Sequence, residues 1–254
     1  MASIAMITGA TSGIGKATAR ILAAHGYNVI ITGRRGDRLK ELKQELEVEY
    51  SIEVLPLSFD VREREEVTKH VGKLKPEWQS IDVLVNNAGL ALGKSPLHEA
   101  DPKDWDQVID TNIKGVLSVT HAVIPFMIKR KSGHIVNIGS IAGKEVYKGG
   151  AIYNATKFAV DALSKAMRID FLEYGIRVTQ ICPGMTQTEF AEVRFKGDTK
   201  KAGAVYEGYE PLKAEDIAEA IWFAVSRPAH VNINDLIIMP TAQANTVFLH
   251  KRER

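Results

Sequence analysis

The chain has 254 residues, 45% of them hydrophobic and 25% charged, the proportions of a soluble globular protein and not of a disordered or fibrous one. Its 33 Lys and Arg against 31 Asp and Glu leave a net charge of +2, without the basic excess that a nucleic-acid binder carries. The lone Cys182 excludes an internal disulfide and a Cys-based zinc site, and the histidines show no His-x-x-x-His spacing, so no metal site is expected.

Taken from the N-terminus, the apolar stretch 1–7 stops at Thr8-Gly9, too short for a signal core, and no run approaches about 18 apolar residues. A cytoplasmic chain without a membrane span is expected. Short β-branched runs at 4–8, 28–33, 53–57, 82–86, 134–138, 177–181 and 236–239 predict strands. Longer patterned stretches at 13–25, 37–50, 63–73, 104–131, 151–174 and 214–226 predict helices between them. Near-continuous apolar strands alternating with helices describe an α/β fold, a parallel sheet of about seven strands covered on both faces by right-handed crossovers. Asp101-Pro102 reads as a cap followed by a first-turn proline, and Gly26 and Gly175 as left-handed helix stops. No Pro/Gly/Ser-rich stretch divides the chain, so a single domain over 1–254 is expected. Around 185–212 neither period persists, which predicts a lid or substrate loop, with an ordinary surface excursion as the alternative.

The first predicted strand runs into Thr8-Gly9-Ala10-Thr11-Ser12-Gly13-Ile14-Gly15 and then a helix. In that order a Gly-rich turn presents backbone N–H groups and the positive end of a helix dipole to a pyrophosphate, and a Cβ would block either the phosphates or helix–strand packing. This is the Rossmann arrangement, and it makes the expected sheet doubly wound. Gly9, Thr11, Ser12, Gly13, Ile14 and Gly15 are therefore cofactor-binding candidates. The second strand ends Thr32-Gly33-Arg34-Arg35, without the acid that would hold a ribose 2′-OH. Arg34 and Arg35 instead suit a 2′-phosphate, which predicts NADP(H). The further basic clusters, Arg38 beside them and 250–254 at the end, read equally well as solvated surface.

Tyr153-Asn154-Ala155-Thr156-Lys157 lies in a predicted helix, so the phenol and the amine project from one face a turn apart. Bringing a phenol from a pKa near 10 to about 7 takes roughly 4 kcal/mol of differential interaction, part of which a neighbouring ammonium supplies. Alone, the pair is also what an ordinary amphipathic helix contains. Ser140, however, follows the strand at 134–138, at the carboxyl edge where open α/β sheets bind ligands. Asn112 sits amid apolar neighbours, as either a satisfied core amide or part of a relay.

Together these residues resemble the short-chain dehydrogenase/reductase family over essentially the whole chain. The motifs Thr8-Gly9-x-x-x-Gly13-x-Gly15, Asp60-Val61, Asn86-Asn87-Ala88-Gly89, Asn112, Ser140, Tyr153-x-x-x-Lys157 and Pro183-Gly184 occur in the family order. The resemblance implies Tyr153 as general acid or base, Ser140 positioning the reacting oxygen, and Lys157 bonding the nicotinamide ribose while depressing the tyrosine. It further implies that Asn112 holds a water linking Lys157 to solvent. Asp60 and Val61 are implied along the adenine, Asn87, Ala88 and Gly89 beside its ribose, and Pro183, Gly184, Thr186 and Thr188 at the nicotinamide.

Within the family, the strings 86–93, 193–198 and 228–234 resemble the NADP-dependent 3-hydroxy acid dehydrogenases, which also oxidise serine and allo-threonine. A small hydroxy acid would need a cation for its carboxylate; Arg194 and Lys196 are the candidates, although Arg194 could equally pair with a neighbouring acid. Thr188, Glu189 and Phe190 are further pocket neighbours. Rival readings are a 3-oxoacyl-thioester reductase, a general short-chain carbonyl reductase, and an NADP-sensing protein without chemistry. The resemblance implies a homo-oligomer, with a tetramer favoured, built on the helices at 104–131 and 151–174. The tail 247–254 either reaches a neighbouring subunit or frays.

Overall fold

The computed structural model describes residues 2–252. Its strands are β1 (Ile4–Ile7), β2 (Asn28–Gly33), β3 (Val54–Ser58), β4 (Ile81–Asn86), β5 (Gly133–Ile138), β6 (Ile176–Pro183) and β7 (Asp235–Ile238). They form one all-parallel sheet in the order β3-β2-β1-β4-β5-β6-β7. Every strand read from the sequence is present. The order reverses between β1 and β4, and the carboxyl ends on either side of that switch point open the crevice that holds the site.

The longer helices are α1 (Gly13–Ala24), α2 (Gly36–Tyr50), α3 (Arg64–Gly72), α4 (Pro102–Ile109), α5 (Gly115–Arg130) and α6 (Ala151–Asp170). Two short helices, α7 (Phe190–Arg194) and α8 (Thr199–Ala204), precede α9 (Ala214–Val225). Because strand side chains alternate, neighbours serve opposite faces: Ile7 and Ile31 pack with Leu22 and Ile221 on one side, Met6 and Ile30 with Leu84 and Met127 on the other. Each such side chain, fully buried, contributes about 1.5–3 kcal/mol relative to exposure. The caps follow the sequence, with the Asp101 carboxylate accepting from Lys103 N at 3.0 Å and Gly26 and Gly175 at φ 79° and 66°.

Three sequence expectations need correction. The single helix at 104–131 is interrupted by a π turn, Asp110–Lys114, in which the Asn112 amide is drawn inward to Leu90 and Thr156. Apolar residues continue on both sides of the turn, so their period does not betray it. The expected helix at 151–174 ends at Asp170, and a separate 3₁₀ turn covers Leu172–Tyr174. The stretch around 185–212 is not irregular throughout, since it contains α7 and α8, each too short to show a period; Asp198 caps α8 by accepting from Lys201 N at 3.0 Å.

The combined stretch Pro102–Arg130 is long and apolar enough to cross a membrane, but Val116, Val119, Val123 and Met127 pack into the core, which makes it a core helix. The tail does not fray over its described part. Gln243 and Leu249 form an antiparallel bridge, and Arg252 N donates to Gly208 O at 2.8 Å, so the chain folds back onto the segment 185–212. Residues 253 and 254 of the expected tail lie outside the described residues.

One buried group makes stability depend on acid. His134 on β5 is enclosed, with Nε2 2.7 Å from Thr179 Oγ1, and Nδ1 has no partner among the described residues. Burial, with the positive charge of Arg177 adding to it, pushes its pKa down to about 3. The unfolded chain takes up this proton near pH 6.5 and the folded chain does not, so stability is lost as pH falls through that window. About 3 kcal/mol should be missing at pH 4. Urea midpoints of wild type and His134→Gln at pH 7 and pH 4 check this: equal pH sensitivity in the two would remove His134 as the cause.

Candidate active site

The turn between β1 and α1 is shaped for an anion. Gly9 and Gly13 adopt φ 67° and 51°, conformations that side chains rarely tolerate. A Cβ on Gly15 would stand 2.3 Å from Gly9 O and 2.5 Å from Asn87 Nδ2. Asn87 needs that position, because its amide donates to Thr8 O at 2.8 Å and Gly9 O at 3.2 Å, lacing β4 to the turn. The Ser12 hydroxyl does not cap α1, so the first-turn N–H groups, which have no acceptor within a helix, are left for a ligand. Gly9, Thr11, Ser12, Gly13 and Ile14 all line a cleft of about 830 Å³.

At the far end of the cleft Arg34 lies 3.7 Å from Asp60. Arg35 donates to Thr11 Oγ1 from Nε at 3.1 Å and from Nη2 at 2.7 Å, to Ser12 Oγ at 2.8 Å, and to Glu189 at 2.7 Å. Burial raises the Asp60 carboxyl, but hydrogen bonds from Arg62 outweigh it and keep the group below the usual carboxylate range. Asp60, Val61, Ala88 and Gly89 line the wall between the two ends.

Ser140, Tyr153 and Lys157 converge at the other end of the same cleft. Ser140 Oγ accepts from Ala142 N at 3.1 Å and donates to Pro183 O at 3.4 Å, which fixes the hydroxyl beside β6. Tyr153 and Lys157 lie one turn apart on α6, the ammonium 5.8 Å from the phenol ring centroid. Lys157 Nζ donates to Ile138 O at 2.8 Å, and burial pushes its pKa down to about 8. Burial and the adjacent Tyr147 hold the Tyr153 phenol well above its ordinary range, while contact with Ser140 and the charge of Arg194 act in the opposite direction. The charge of Arg194, which the sequence did not single out for this role, is one that pulls the phenol down. Asn112 is a satisfied amide: Oδ1 accepts from Leu90 N at 2.9 Å, and Nδ2 donates to Leu90 O at 2.8 Å and Thr156 Oγ1 at 3.0 Å.

Both ends of this site fall largely within residues 3–199, the span matched by a sequence profile described as short chain dehydrogenase. The chain belongs to the short-chain dehydrogenase family. It is similar to the NADP-dependent 3-hydroxy acid dehydrogenase of Escherichia coli strain K12, 48% identical over 242 residues, which cover 95% of this chain and 96% of that protein. Sulfoacetaldehyde reductase 2 of Chromohalobacter salexigens is 44% identical over 254 residues, 100% of both chains. The closed form of a serine dehydrogenase complexed with NADP+ superimposes with a TM-score of 0.92 at 45% identity, covering 98% of this chain and 100% of that one.

In this short-chain dehydrogenase the wall facing Tyr153 comes from the segment 185–212. Phe190 packs 5.5 Å from the Tyr153 ring, and the Arg194 guanidinium stands 5.7 Å from that ring and 5.3 Å from Tyr147. Arg194 is held there by donating to Tyr147 Oη at 2.7 Å and Gly93 O at 3.1 Å, and among the described residues no carboxylate pairs with it. Lys196 is outside the main cleft: it pairs with Asp104 at 2.9 Å and lines a smaller adjoining cavity of about 280 Å³, to whose wall Tyr153 and Arg194 also contribute. Pro183, Gly184, Thr186 and Thr188 form the cleft wall between β6 and α7.

Sequence reasoning missed Tyr147, Gly143 and the place of the tail at the cleft. A Cβ on Gly143 would stand 2.5 Å from Lys157 O, so this glycine lets α6 approach the Ser140 loop. Gln243 Oε1 accepts from Met185 N at 2.8 Å, and Thr246, Val247 and Leu249 close one side of the cleft. None of these carries a local motif that would have revealed it.

Proposed function

We propose that this short-chain dehydrogenase transfers a hydride between NADP(H) and the CH–OH carbon of a small 3-hydroxy acid or β-hydroxy amino acid. Serine, allo-threonine, 3-hydroxyisobutyrate and the 3-hydroxypropionate/malonic semialdehyde pair are the substrate types meant. The observation that carries the reading is the guanidinium of Arg194, held beside the Tyr153 ring in the cleft and met by no carboxylate among the described residues. The similarity to 3-hydroxy acid and serine dehydrogenases supports the same substrate class.

The residues fit a phosphorylated dinucleotide. The glycine turn leaves first-turn N–H groups free, and Arg35 already binds an anion, the Glu189 carboxylate. Arg34 and Arg35 would hold the 2′-phosphate, Asp60, Val61 and Asn87 to Gly89 the adenosine, and Lys157 with Pro183 to Thr188 the nicotinamide end. When bound, the cofactor supplies or accepts the hydride. Tyr153 then donates a proton to the carbonyl oxygen in reduction, or removes one from the hydroxyl in oxidation. Ser140 holds that oxygen against the phenol, and Lys157 supplies positive charge behind it. Arg194 orients the substrate through its anionic end, which leaves the opposite carbon at the reacting position.

A sulfonate is the second anionic group to weigh, because the chain is similar along its whole length to a sulfoacetaldehyde reductase. Rates with L-serine, D- and L-3-hydroxybutyrate, 3-hydroxyisobutyrate, 2-hydroxyethanesulfonate and a neutral secondary alcohol distinguish the readings. Arg194→Gln should raise KM for the preferred anion about 10- to 100-fold, the scale of a lost charge-assisted hydrogen bond, and leave the neutral alcohol nearly unaffected. Preference of the wild type for the neutral alcohol, or for an acyl thioester, would reject the acid reading.

Self-association and a cytoplasmic setting belong to the same proposal. Phe158 and Ile169 lie three turns apart on one face of α6 and are exposed, as are Leu117 on α5 and Leu172 just beyond α6. Exposed apolar side chains on these helices suit burial against a second copy, with a tetramer favoured. Light scattering that returns a monomer mass at micromolar concentration would overturn this part.

A further inference from the structure

The arginines at the phosphate end already hold an anion of this chain. Glu189 stands at the root of the lid, immediately before α7, and its two carboxylate oxygens accept from Arg35 Nη1 at 2.7 Å and Arg38 Nη1 at 2.6 Å. Arg35 also donates from Nε and Nη2 to Thr11 and Ser12, so a single guanidinium is shared between the glycine turn and the lid. The two segments also touch directly, since a Cβ on Gly13 would meet Thr188 at 3.1 Å. The Glu189 carboxylate is neither in the core nor at Tyr153; its side chain is 38% exposed. A carboxylate between two guanidiniums presents the charge and oxygens that a phosphate monoester would present there.

We propose that Glu189 is a resident competitor for the 2′-phosphate of the cofactor, and thereby sets how strongly this chain prefers a phosphorylated nucleotide. The inference rests on the NADP(H) reading above. Arg35 has a single N–H uncommitted, on Nη1, so it cannot meet a phosphate with a forked pair of bonds and retain all of its present partners. A dianionic phosphate attracts the guanidiniums more strongly than a carboxylate does, and it repels Glu189 at the same distance. Glu189 is therefore displaced, and the lid root loses a tie to the glycine turn. A nucleotide without the phosphate leaves the pair intact, and the lid root stays fastened.

Calorimetric titration with adenosine 2′,5′-bisphosphate and adenosine 5′-monophosphate tests this without turnover, since neither ligand carries a nicotinamide. Glu189→Gln should bind the bisphosphate about three- to tenfold more tightly than wild type, the scale of two half-exposed ion pairs, and the monophosphate within about twofold. Unchanged or weaker bisphosphate binding by the variant, with a wild type that prefers the bisphosphate, overturns the competition and leaves the NADP(H) reading standing. A wild type that binds the two ligands equally ends the NADP(H) reading and the competition with it. If the variant fails to fold, the wild type carries the test alone. Saturating bisphosphate should speed amide hydrogen exchange in α7, where Val193 N donates to Glu189 O, and monophosphate should not; slower or unchanged exchange overturns the proposal.

Discussion

Tyr153→Phe should lower turnover on the order of a thousandfold or more while changing NADPH affinity by less than about twofold, because the loss is a proton donor and not a binding contact. Phenylalanine keeps the ring that packs against Phe190 and lies beneath Arg194, so the cleft retains its shape. The measurement is kcat beside calorimetric nucleotide binding. Near-normal kcat would remove the phenol from the mechanism, and lost nucleotide binding would mean that the substitution deformed the site. The same phenol gives the two directions opposite pH dependence. Burial and Tyr147 hold it above its ordinary range against the pull of Ser140 and Arg194, so it is protonated at neutral pH. Carbonyl reduction therefore has its proton donor at neutral pH, and alcohol oxidation, which needs the phenolate, should accelerate as pH rises.

Gly15→Ala is expected to be the most damaging methyl group that can be added to the turn. The new Cβ would meet Gly9 O at 2.3 Å and Asn87 Nδ2 at 2.5 Å, and what must yield is largely backbone. Overpacking of this kind costs about 1–3 kcal/mol or more, and here it moves the N–H groups meant for a phosphate. Stability in urea should fall by that amount and NADPH affinity by about tenfold or more. Gly203→Ala in α8 is the control, since nothing lies within 4 Å of its added Cβ. That change should be neutral or stabilising by about 0.5–1 kcal/mol through helix propensity. Equal behaviour of the two variants would show that the close approach at Gly15 is unimportant.

The strands, their parallel arrangement and the glycine turn were legible because each is a local consequence of side-chain chemistry. Continuous apolar runs require cover on both faces, and Gly9, Gly13 and Gly15 mark backbone that no side chain could follow. Tyr153 and Lys157 were legible for a similar reason, since a spacing of four on a helix is a spatial relation written in the chain. The π turn at Asp110–Lys114 was not, because it leaves the apolar pattern on both sides unbroken.

By itself the sequence determined which residue types are available to bind a phosphate, to move a proton and to pair strands, since these depend on identity and short-range spacing. Only the tertiary structure decided that Arg194 reaches the Tyr153 ring while Lys196, two residues on, turns to Asp104. Only there do Glu189 and Arg35 meet, from opposite ends of the chain. A salt bridge or a pKa depends on distance and burial across the fold, and those are set by how helices and loops from distant segments settle on the sheet.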